Sequence, residues 1–570
     1  MSHDIRSWVL KHNITHTAVN DLLEILRKHK CHELLPKDVR SLMRTSRCVQ
    51  SDIVYFSQQQ KYIHFDLEEG IKISIYKHYV SLRQEVRLNF NINGLPISKS
   101  SSEQFWPILA ALVNNTSYTE PFPVGIYCGK IKPEDVNIFL QPLISDILRI
   151  QDNNGIYING KLICVKVNAF VCDAPAKAFI AGIKNHTGYF GCAKCTCEGD
   201  FVENRMTFPD LKCPLRTDAS FKNKTQPEHY RITTILENAN IGMVSQLPLD
   251  YMHLVCLGVM KRLLQFWVRG KTNIRIKSHL LPSVSDAYIN MRKFITKEFA
   301  RYPRSLFEVD RWKATEFRLF LLYTGPVLLK DVLSKRMYEH FLCLSISIRI
   351  LCHTRMCITM RQYAQQLLTY FIKHFAELYG SQHIAYNVHN LIHLPNDVAL
   401  LGPLDSFSAF KFENFLYKLK KKVHTGRNYL EQVTNRLREA AHNVNKNELK
   451  TYPIITFNGT QNDIIEKVKF PGFSLSCKEF DNCCILSDGS IMFVEEISYK
   501  NHISFSGKSV TKKKPFFITP CISTNLSIIL VSKTDMRHIS SVNINQICEK
   551  HLVIESKCGD LILLPIIHTC

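Results

Sequence analysis

The sequence predicts an α/β protein whose core is interrupted by a mostly helical insertion, with a helical N-terminal segment and an all-β C-terminal domain. Strand-like apolar runs and one long amphipathic helix occupy residues 70–198, helical periodicity dominates 199–385 and 386–445, and short apolar runs separated by turns fill 452–570. The 570 residues, 45% hydrophobic and 21% charged, suffice to bury several cores and exclude a disordered chain.

The charge balance indicates the class of partner. The chain has 72 Lys and Arg against 50 Asp and Glu, a net charge of +22, which favours a polyanion such as DNA over a small-molecule substrate. We expect no contact with a membrane and an intracellular location, because no apolar stretch reaches the length of a membrane span and the N-terminus lacks a secretory signal. The 20 scattered cysteines are then expected to be reduced or to bind metal.

Residues 1–65 are predicted to be a helical N-terminal segment, since apolar residues recur there at helical spacing. Basic residues cluster around the second helical stretch. The segment is interpreted either as a DNA-contacting module or as a solvated helical hairpin; its basic residues are Arg27, Lys28, Lys30, Lys37, Arg40, Arg44 and Arg47.

The first part of the core, 70–198, contains an ordered series of elements. Apolar runs predict strands at 71–76, 86–92, 105–113 and 122–128, and an amphipathic helix follows Asp135, with a kink expected at Pro142. The run 162–172 predicts a central strand covered on both faces, and Asp173 ends it. This order of strands, helix and buried strand predicts a ribonuclease-H-like core.

Cys192 and Cys195 form a Cys-x-x-Cys pair, which is half of a tetrahedral zinc site. Cys197 and Cys213 could complete the site locally. His389 and His393, which share one face of a helix, could complete it from far along the chain. A redox-active cysteine pair and two ordinary histidines are the alternatives.

Two carboxylates are candidates for catalysis. Asp173 follows the apolar strand, where an acid must either bind a cation or cap the next helix. Glu413 lies beside the apolar stripe of a helical pattern at 404–423, and alone it would be a solvated residue. Acids on a strand end and a facing helix suit two-metal phosphoryl chemistry.

Several motifs, taken together, resemble the CACTA (En/Spm)-type transposases. They are NINGLPISKSSSEQFWPIL (91–109), CDAPAKAF (172–179), HTGYFGCAKC (186–195), LDYMHLVCLGVMKRLL (249–264) and FENF (412–415). The resemblance implies a nuclear DNA transposase that uses Mg²⁺ or Mn²⁺, forms homo-oligomers and carries an acid triad on a ribonuclease-H-like core. It makes Asp173 the second acid and Glu413 the third. A Cys192, Cys195, His389, His393 zinc site would be similar to that of the Transib and RAG recombinases.

One position departs from the family pattern: Asn93 stands where the first acid precedes Gly-Leu-Pro. A neutral carboxamide in place of an anion weakens the binding of a hard dication, so we expect impaired catalysis. Asp250, in the motif Asp-Tyr-Met-His253, or Asp66 could supply the missing charge, as could deamidation of Asn93. The alternatives to an impaired transposase are a domesticated, non-catalytic DNA- or chromatin-binding protein and a zinc-stabilised protein-binding scaffold.

A basic run follows Glu413. The run lies on the same helix as Glu413 and in the turn after it, where it would line DNA beside the active centre and contact phosphates. A solvated helix face is the alternative. The candidate residues are Lys418, Lys420, Lys421, Lys422 and Arg427.

Overall fold

A mixed sheet forms the centre of the N-terminal half of this computed structural model, which describes residues 1–45, 49–78, 84–98, 102–113, 118–443, 452–458, 461–499 and 502–567. The strand order is β1-β2-β6-β5-β3-β8-β7, with β4 paired to β5. Strands β3 and β8 are parallel, and the other pairs are antiparallel. The strands are β1 (Ile53–Ser57), β2 (Gln60–His64), β3 (Glu85–Ile92), β4 (Leu95–Pro96), β5 (Gln104–Leu112), β6 (Phe122–Gly129), β7 (Ile156–Ile158) and β8 (Lys161–Phe170).

Both faces of this sheet are covered because side chains alternate along each strand. Phe90 of β3 and Ile108 of β5 belong to one core, which also contains the apolar side of the helix after β6. Phe105 and Leu109 face the opposite core, which continues into the helical middle of the chain. The helices of this half are α1 (Ser2–His12), α2 (His16–Arg27), α3 (Val39–Met43), α4 (Leu67–His78), α5 (Val136–Asp152) and α6 (Ala174–Ile180).

The helical N-terminus is confirmed, but it is shorter than 1–65. Helices α1 to α3 enclose a small core of their own, whereas 53–64 forms a β-hairpin at the edge of the sheet. Arg47 lies outside the described residues.

The strand prediction for 71–76 is wrong, because these residues lie in α4. Leu67, Ile71 and Ile75 are buried at spacings of four, and Lys72 pairs with Glu68 at 2.7 Å on the other side of the helix. A short apolar run does not distinguish a buried helix face from a strand.

Helix α5, capped by Asp135, continues through Pro142 as one helix. One further detail differs from prediction. Successive residues of strand β8 are buried only at its C-terminal end, whereas Leu162 is exposed, so the strand is not covered on both faces throughout.

The middle of the chain is mostly helical, as predicted, with one short hairpin of β9 (Asp200–Val202) and β10 (Arg205–Thr207). Two π-helical stretches, Met252–Met260 and Phe320–Thr324, interrupt it. Its helices are α7 (Asp218–Lys222), α8 (Lys261–Arg269), α9 (Leu281–Asn290), α10 (Ala314–Leu319), α11 (Gly325–Leu328), α12 (Lys335–Cys352), α13 (Met356–Thr359), α14 (Arg361–Tyr379), α15 (Tyr386–His389), α16 (Leu394–Leu401), α17 (Phe410–Lys420) and α18 (Tyr429–His442).

The C-terminal region is all-β apart from short 3₁₀ turns, as predicted, and forms an 11-stranded sheet. Its strands are β11 (Ile454–Asn458), β12 (Gln461–Lys469), β13 (Ser474–Ser476), β14 (Cys483–Leu486), β15 (Ile491–Tyr499), β16 (Ile503–Val510), β17 (Lys514–Pro515), β18 (Ile529–Val531), β19 (Met536–Asn543), β20 (Ile547–Glu555) and β21 (Leu561–Pro565). Within the described ranges, no helix is both long and apolar enough to cross a bilayer, and every cysteine is a free thiol.

Candidate functional site

The parallel pair of strands brings two of the sequence candidates to one edge of the sheet. Asn93 directly follows β3, and Asp173 follows β8 by three residues. Because the strands are parallel, their carboxyl ends meet at the same edge. Glu413, on the first turn of α17, reaches this edge, and the Asn93 amide Nδ2 donates a hydrogen bond of 3.0 Å to Glu413 Oε1.

Asp173 has a local structural role at this edge. Its Oδ1 accepts a hydrogen bond of 2.8 Å from the backbone N–H of Ala176 and caps α6. The negative charge of Asp173 also helps to raise the pKa of Glu413, so the two carboxyl groups lie near each other. The carboxylate therefore serves as a helix cap and also adds charge to the acidic site.

Asp250 lies at the start of the π-helix and joins it to α17. Its Oδ1 accepts the N–H of Ala409 at 2.8 Å, and its Oδ2 accepts the N–H of His253 at 3.0 Å and the imidazole Nδ1 of His253 at 2.7 Å. The side chain is only 1% exposed. Asp250 thus fixes the geometry of the site, and protein donors already occupy both of its oxygens.

His253 balances part of the negative charge. Burial acts to lower its pKa, but the hydrogen bond and charge of Asp250, with the charges of Glu413 and Asp173, outweigh burial and raise the pKa to about 9. Burial raises the pKa of Glu413, and the charges of Asp250 and Asp173 act in the same direction against the attraction of His253 and the Asn93 hydrogen bond. The site therefore combines three carboxylates with an imidazolium.

Asp66, the other candidate for the missing acid, is used elsewhere. Its Oδ1 accepts the N–H of Glu69 at the start of α4, and its Oδ2 pairs with Arg149 at 2.9 Å.

A second cluster joins the Cys-x-x-Cys turn to the end of α15 and the turn before α16. The ligand atoms of four buried residues all lie within 4.8 Å of one another: Cys192, Cys195, His389 and His393. The S···S distance is 3.5 Å, the Nε2···Nε2 distance is 3.4 Å, and the two S···N contacts are 3.3 and 3.8 Å. Tetrahedral zinc with ordinary bond lengths requires about 3.8, 3.4 and 3.6 Å for these three kinds of edge. The group can therefore hold a metal such as zinc.

Surrounding groups orient these ligands. The Nδ1 of His389 lies 3.1 Å from the carbonyl oxygen of Phe208, which leaves Nε2 to face the sulfurs. Cys213, by contrast, donates its thiol to Asp210 at 3.1 Å, and neither it nor Cys197 belongs to the cluster of four.

A buried ion pair connects this cluster with the acidic site. Lys194, inside the Cys-x-x-Cys turn, lies 2.6 Å from Asp397 of α16, and both side chains are at most 6% exposed. The other oxygen of Asp397 accepts the N–H of Leu249 at 2.8 Å, one residue before Asp250. The sequence reasoning missed Lys194 and Asp397, since neither has a distinctive spacing. It left the role of His253 open, although the Asp-x-x-His spacing pointed to this pair.

The predicted DNA-contacting lysines are partly engaged within the protein. Lys418 pairs with Glu120 at 2.6 Å, Lys420 donates to the carbonyl of Pro96 at 2.8 Å, and Lys421 lies 4.5 Å from the ring centre of Tyr417. Lys422 is half-buried, whereas Arg427 is exposed in the turn before α18.

Comparison with known proteins adds one finding. A family model described as a domain of unknown function (DUF8592) matches residues 448–566, the C-terminal β region. No curated protein matches the chain in sequence.

Proposed function

We propose that this chain is a nuclear, DNA-binding, transposase-like protein of the CACTA type whose metal-dependent cleavage is impaired. The observation that carries the proposal is the meeting of Asn93, Asp173 and Glu413, residues up to 320 positions apart, at one edge of a sheet. The family pattern assigns these three positions to its acid triad. By the same resemblance we expect the protein to act as a homo-oligomer.

The order of the strands supports a ribonuclease-H-like core. Strands β3, β5 and β6 form an antiparallel series, α5 follows, and β8 returns parallel to β3, which gives the order β6-β5-β3-β8. The helical middle, which lies between Asp173 and Glu413 in sequence, then corresponds to an insertion before the last core helix.

The donors present do not fit a pair of Mg²⁺ or Mn²⁺ ions. Asn93 contributes no charge and directs its N–H toward Glu413, and protein donors already occupy both oxygens of Asp250. Two unit charges 4 Å apart interact by about 4 kcal/mol at an effective dielectric constant near 20, so losing one anion costs a dication about twice that. We therefore expect weak metal binding and little cleavage in the natural protein.

The cluster of Cys192, Cys195, His389 and His393 is proposed to hold a structural zinc ion. Its four ligands would fill a tetrahedral site completely, which is typical of structural and not of catalytic zinc. The ion would fix the Cys-x-x-Cys turn against α15 and α16 and, through Asp397, the start of the π-helix.

A second candidate function is a domesticated DNA- or chromatin-binding protein without catalysis. The hydrogen bond from Asn93 to Glu413 favours it, because the amide stabilises the acidic site without a metal ion. The two candidates share DNA binding and differ in cleavage.

Conversion of supercoiled plasmid to nicked circles in Mn²⁺ tests the proposal without knowledge of the preferred DNA sequence. The zinc-loaded full chain is compared with Asn93→Asp and with the matched control Asn93→Asp/Asp173→Asn. We expect nicking by Asn93→Asp alone. Equally strong nicking by the natural protein would refute the proposal that its cleavage is impaired. A folded Asn93→Asp protein that binds DNA without nicking it would refute the transposase assignment in favour of the second candidate.

A further inference from the structure

A cleft of about 1220 Å³ separates the N-terminal helical segment from the turn and helix that follow α17. Two basic groups that are remote in sequence line its walls. One group lies at the start of α2 and in and after α3, and the other in the turn after α17 and on α18; the cationic and imidazole side chains are His16, Arg40, Arg44, Lys422, His424 and Arg436.

The positive charge of the cleft is only partly balanced by carboxylates. Arg40 and Arg44 are exposed, and within the described ranges neither forms an ion pair. Asp38 is the one carboxylate among the lining residues. Burial lowers the pKa of Lys422, and the charge of Arg436 adds to this effect against the attraction of Glu120 and Glu439.

A buried carboxylate beneath the cleft holds its walls together and is not free to neutralise a ligand site. Glu439, whose side chain is 0% exposed, lies 2.9 Å from Arg436 and 3.2 Å from His16, and accepts the hydroxyl of Thr45. These contacts join α18 to the N-terminal segment, so the cleft is a built feature of the fold.

The lining identifies the kind of ligand. Apart from the charged groups and histidines, every lining side chain is Ser, Thr, Asn or Gln, with no aliphatic residue and no Phe, Tyr or Trp. Small-molecule pockets are mainly apolar and rarely exceed about 1,000 Å³. Single-stranded nucleic acid is held by stacking on aromatic side chains, which the lining lacks. Arg, Lys, hydroxyl and amide groups are the usual partners of duplex phosphates.

We propose that this cleft binds the phosphate backbone of duplex DNA beside the acidic site. The inference rests on the proposed function and adds a DNA-contacting surface to it. Lys420, the last residue of α17, lies seven residues after Glu413, about 10 Å along the helix at about 1.5 Å per residue, and Lys422 follows in the next turn. The cleft therefore begins close to the acidic site in the chain, roughly three base pairs away at about 3.4 Å per base pair.

The salt dependence of DNA binding tests this assignment. Fluorescence anisotropy with a labelled duplex of arbitrary sequence is measured over a range of KCl concentrations for the full chain and for Arg40→Gln/Arg44→Gln. The matched control is Lys11→Gln/Lys30→Gln, which removes two exposed charges from the same segment outside the cleft. Circular dichroism and zinc content verify that all three proteins are folded.

The cleft variant is expected to bind more weakly, with the slope of log K against log salt smaller by about 1.8, since each phosphate contact contributes about 0.9. The control is expected to keep the natural slope. Equal slopes for the natural protein and the cleft variant would refute the assignment of the cleft as a DNA-binding surface while leaving the proposed function intact. Absence of duplex binding by the natural protein at low salt would overturn both, and tighter binding of oligo(dT) or of duplex RNA would exclude duplex DNA as the occupant.

Discussion

Replacement of Lys550 by methionine is expected to destabilise the protein strongly, because this lysine neutralises a buried acid between the C-terminal sheet and the helical middle. Its ammonium group, 0% exposed, lies 3.0 Å from Glu298 and 2.7 Å from the carbonyl of Ser474, and also pairs with Asp481. Glu298 is itself only 4% exposed and accepts the N–H of Ser474 at 2.9 Å. The variant leaves Glu298 buried without its cation.

Two independent arguments give similar magnitudes. Removing one partner of a buried ion pair costs about 3–5 kcal/mol. Burial acts to raise the pKa of Glu298. The charge of Lys550, together with hydrogen bonds from Thr296, Lys550 and the Ser474 N–H, outweighs burial and lowers the pKa from 4.5 to about 2. A change of that size corresponds to about 3 kcal/mol of folding free energy.

The sign of the pH dependence follows from the lowered pKa. Between pH 4.5 and about 2 the unfolded chain binds a proton at Glu298 that the folded chain does not. This contribution to stability is therefore complete above pH 4.5 and is lost as the pH falls toward 2. Lys550→Met is expected to lose the part of this contribution that Lys550 supplies, while the hydrogen bonds from Thr296 and Ser474 remain.

Urea unfolding followed by far-UV circular dichroism at pH 7 measures the loss. Lys550→Met/Glu298→Gln is the matched control, since it also removes the orphaned charge, and is expected to recover more than half of the lost free energy. A loss below about 1 kcal/mol in Lys550→Met, or a double variant no more stable than the single one, would refute the reasoning.

Two further predictions concern the functional site. Cys195→Ser is expected to reduce the zinc content from about one ion per chain to near zero by mass spectrometry of metals, whereas Cys197→Ser retains it, because Cys195 belongs to the group of four ligand residues and Cys197 does not; equal zinc in both variants would contradict this. Asp250→Asn is expected to lower the pKa of His253 from about 9 toward 6.5, measured by NMR titration and assigned by the resonance missing in His253→Gln, and an unchanged value would contradict the pairing.

Sequence patterns were sufficient where each element followed its own local rule. The alternating run 86–92 and the capped amphipathic pattern after Asp135 became β3 and α5 with nearly the expected bounds. The run 71–76 became a helix because a short apolar run fits either a strand or the buried face of a helix, and tertiary packing decides between the two. The hairpin at 53–64 was missed for the same reason, since its strands gain partners only at the sheet edge.

The sequence by itself determined the order of the helical and β-rich regions along the chain, its basic character, and the residue types available for a metal site and for an acidic site. The tertiary structure decided which of them meet. Parallel pairing of β3 and β8 brought Asn93 and Asp173 to one edge of the sheet, and α17 added Glu413. The fold of the helical middle brought the cysteine pair next to the histidine pair, which lies almost 200 residues further along the chain. The reason is physical: charge, periodicity and caps are local properties of a chain, whereas the distance between two remote side chains depends on how every intervening element packs.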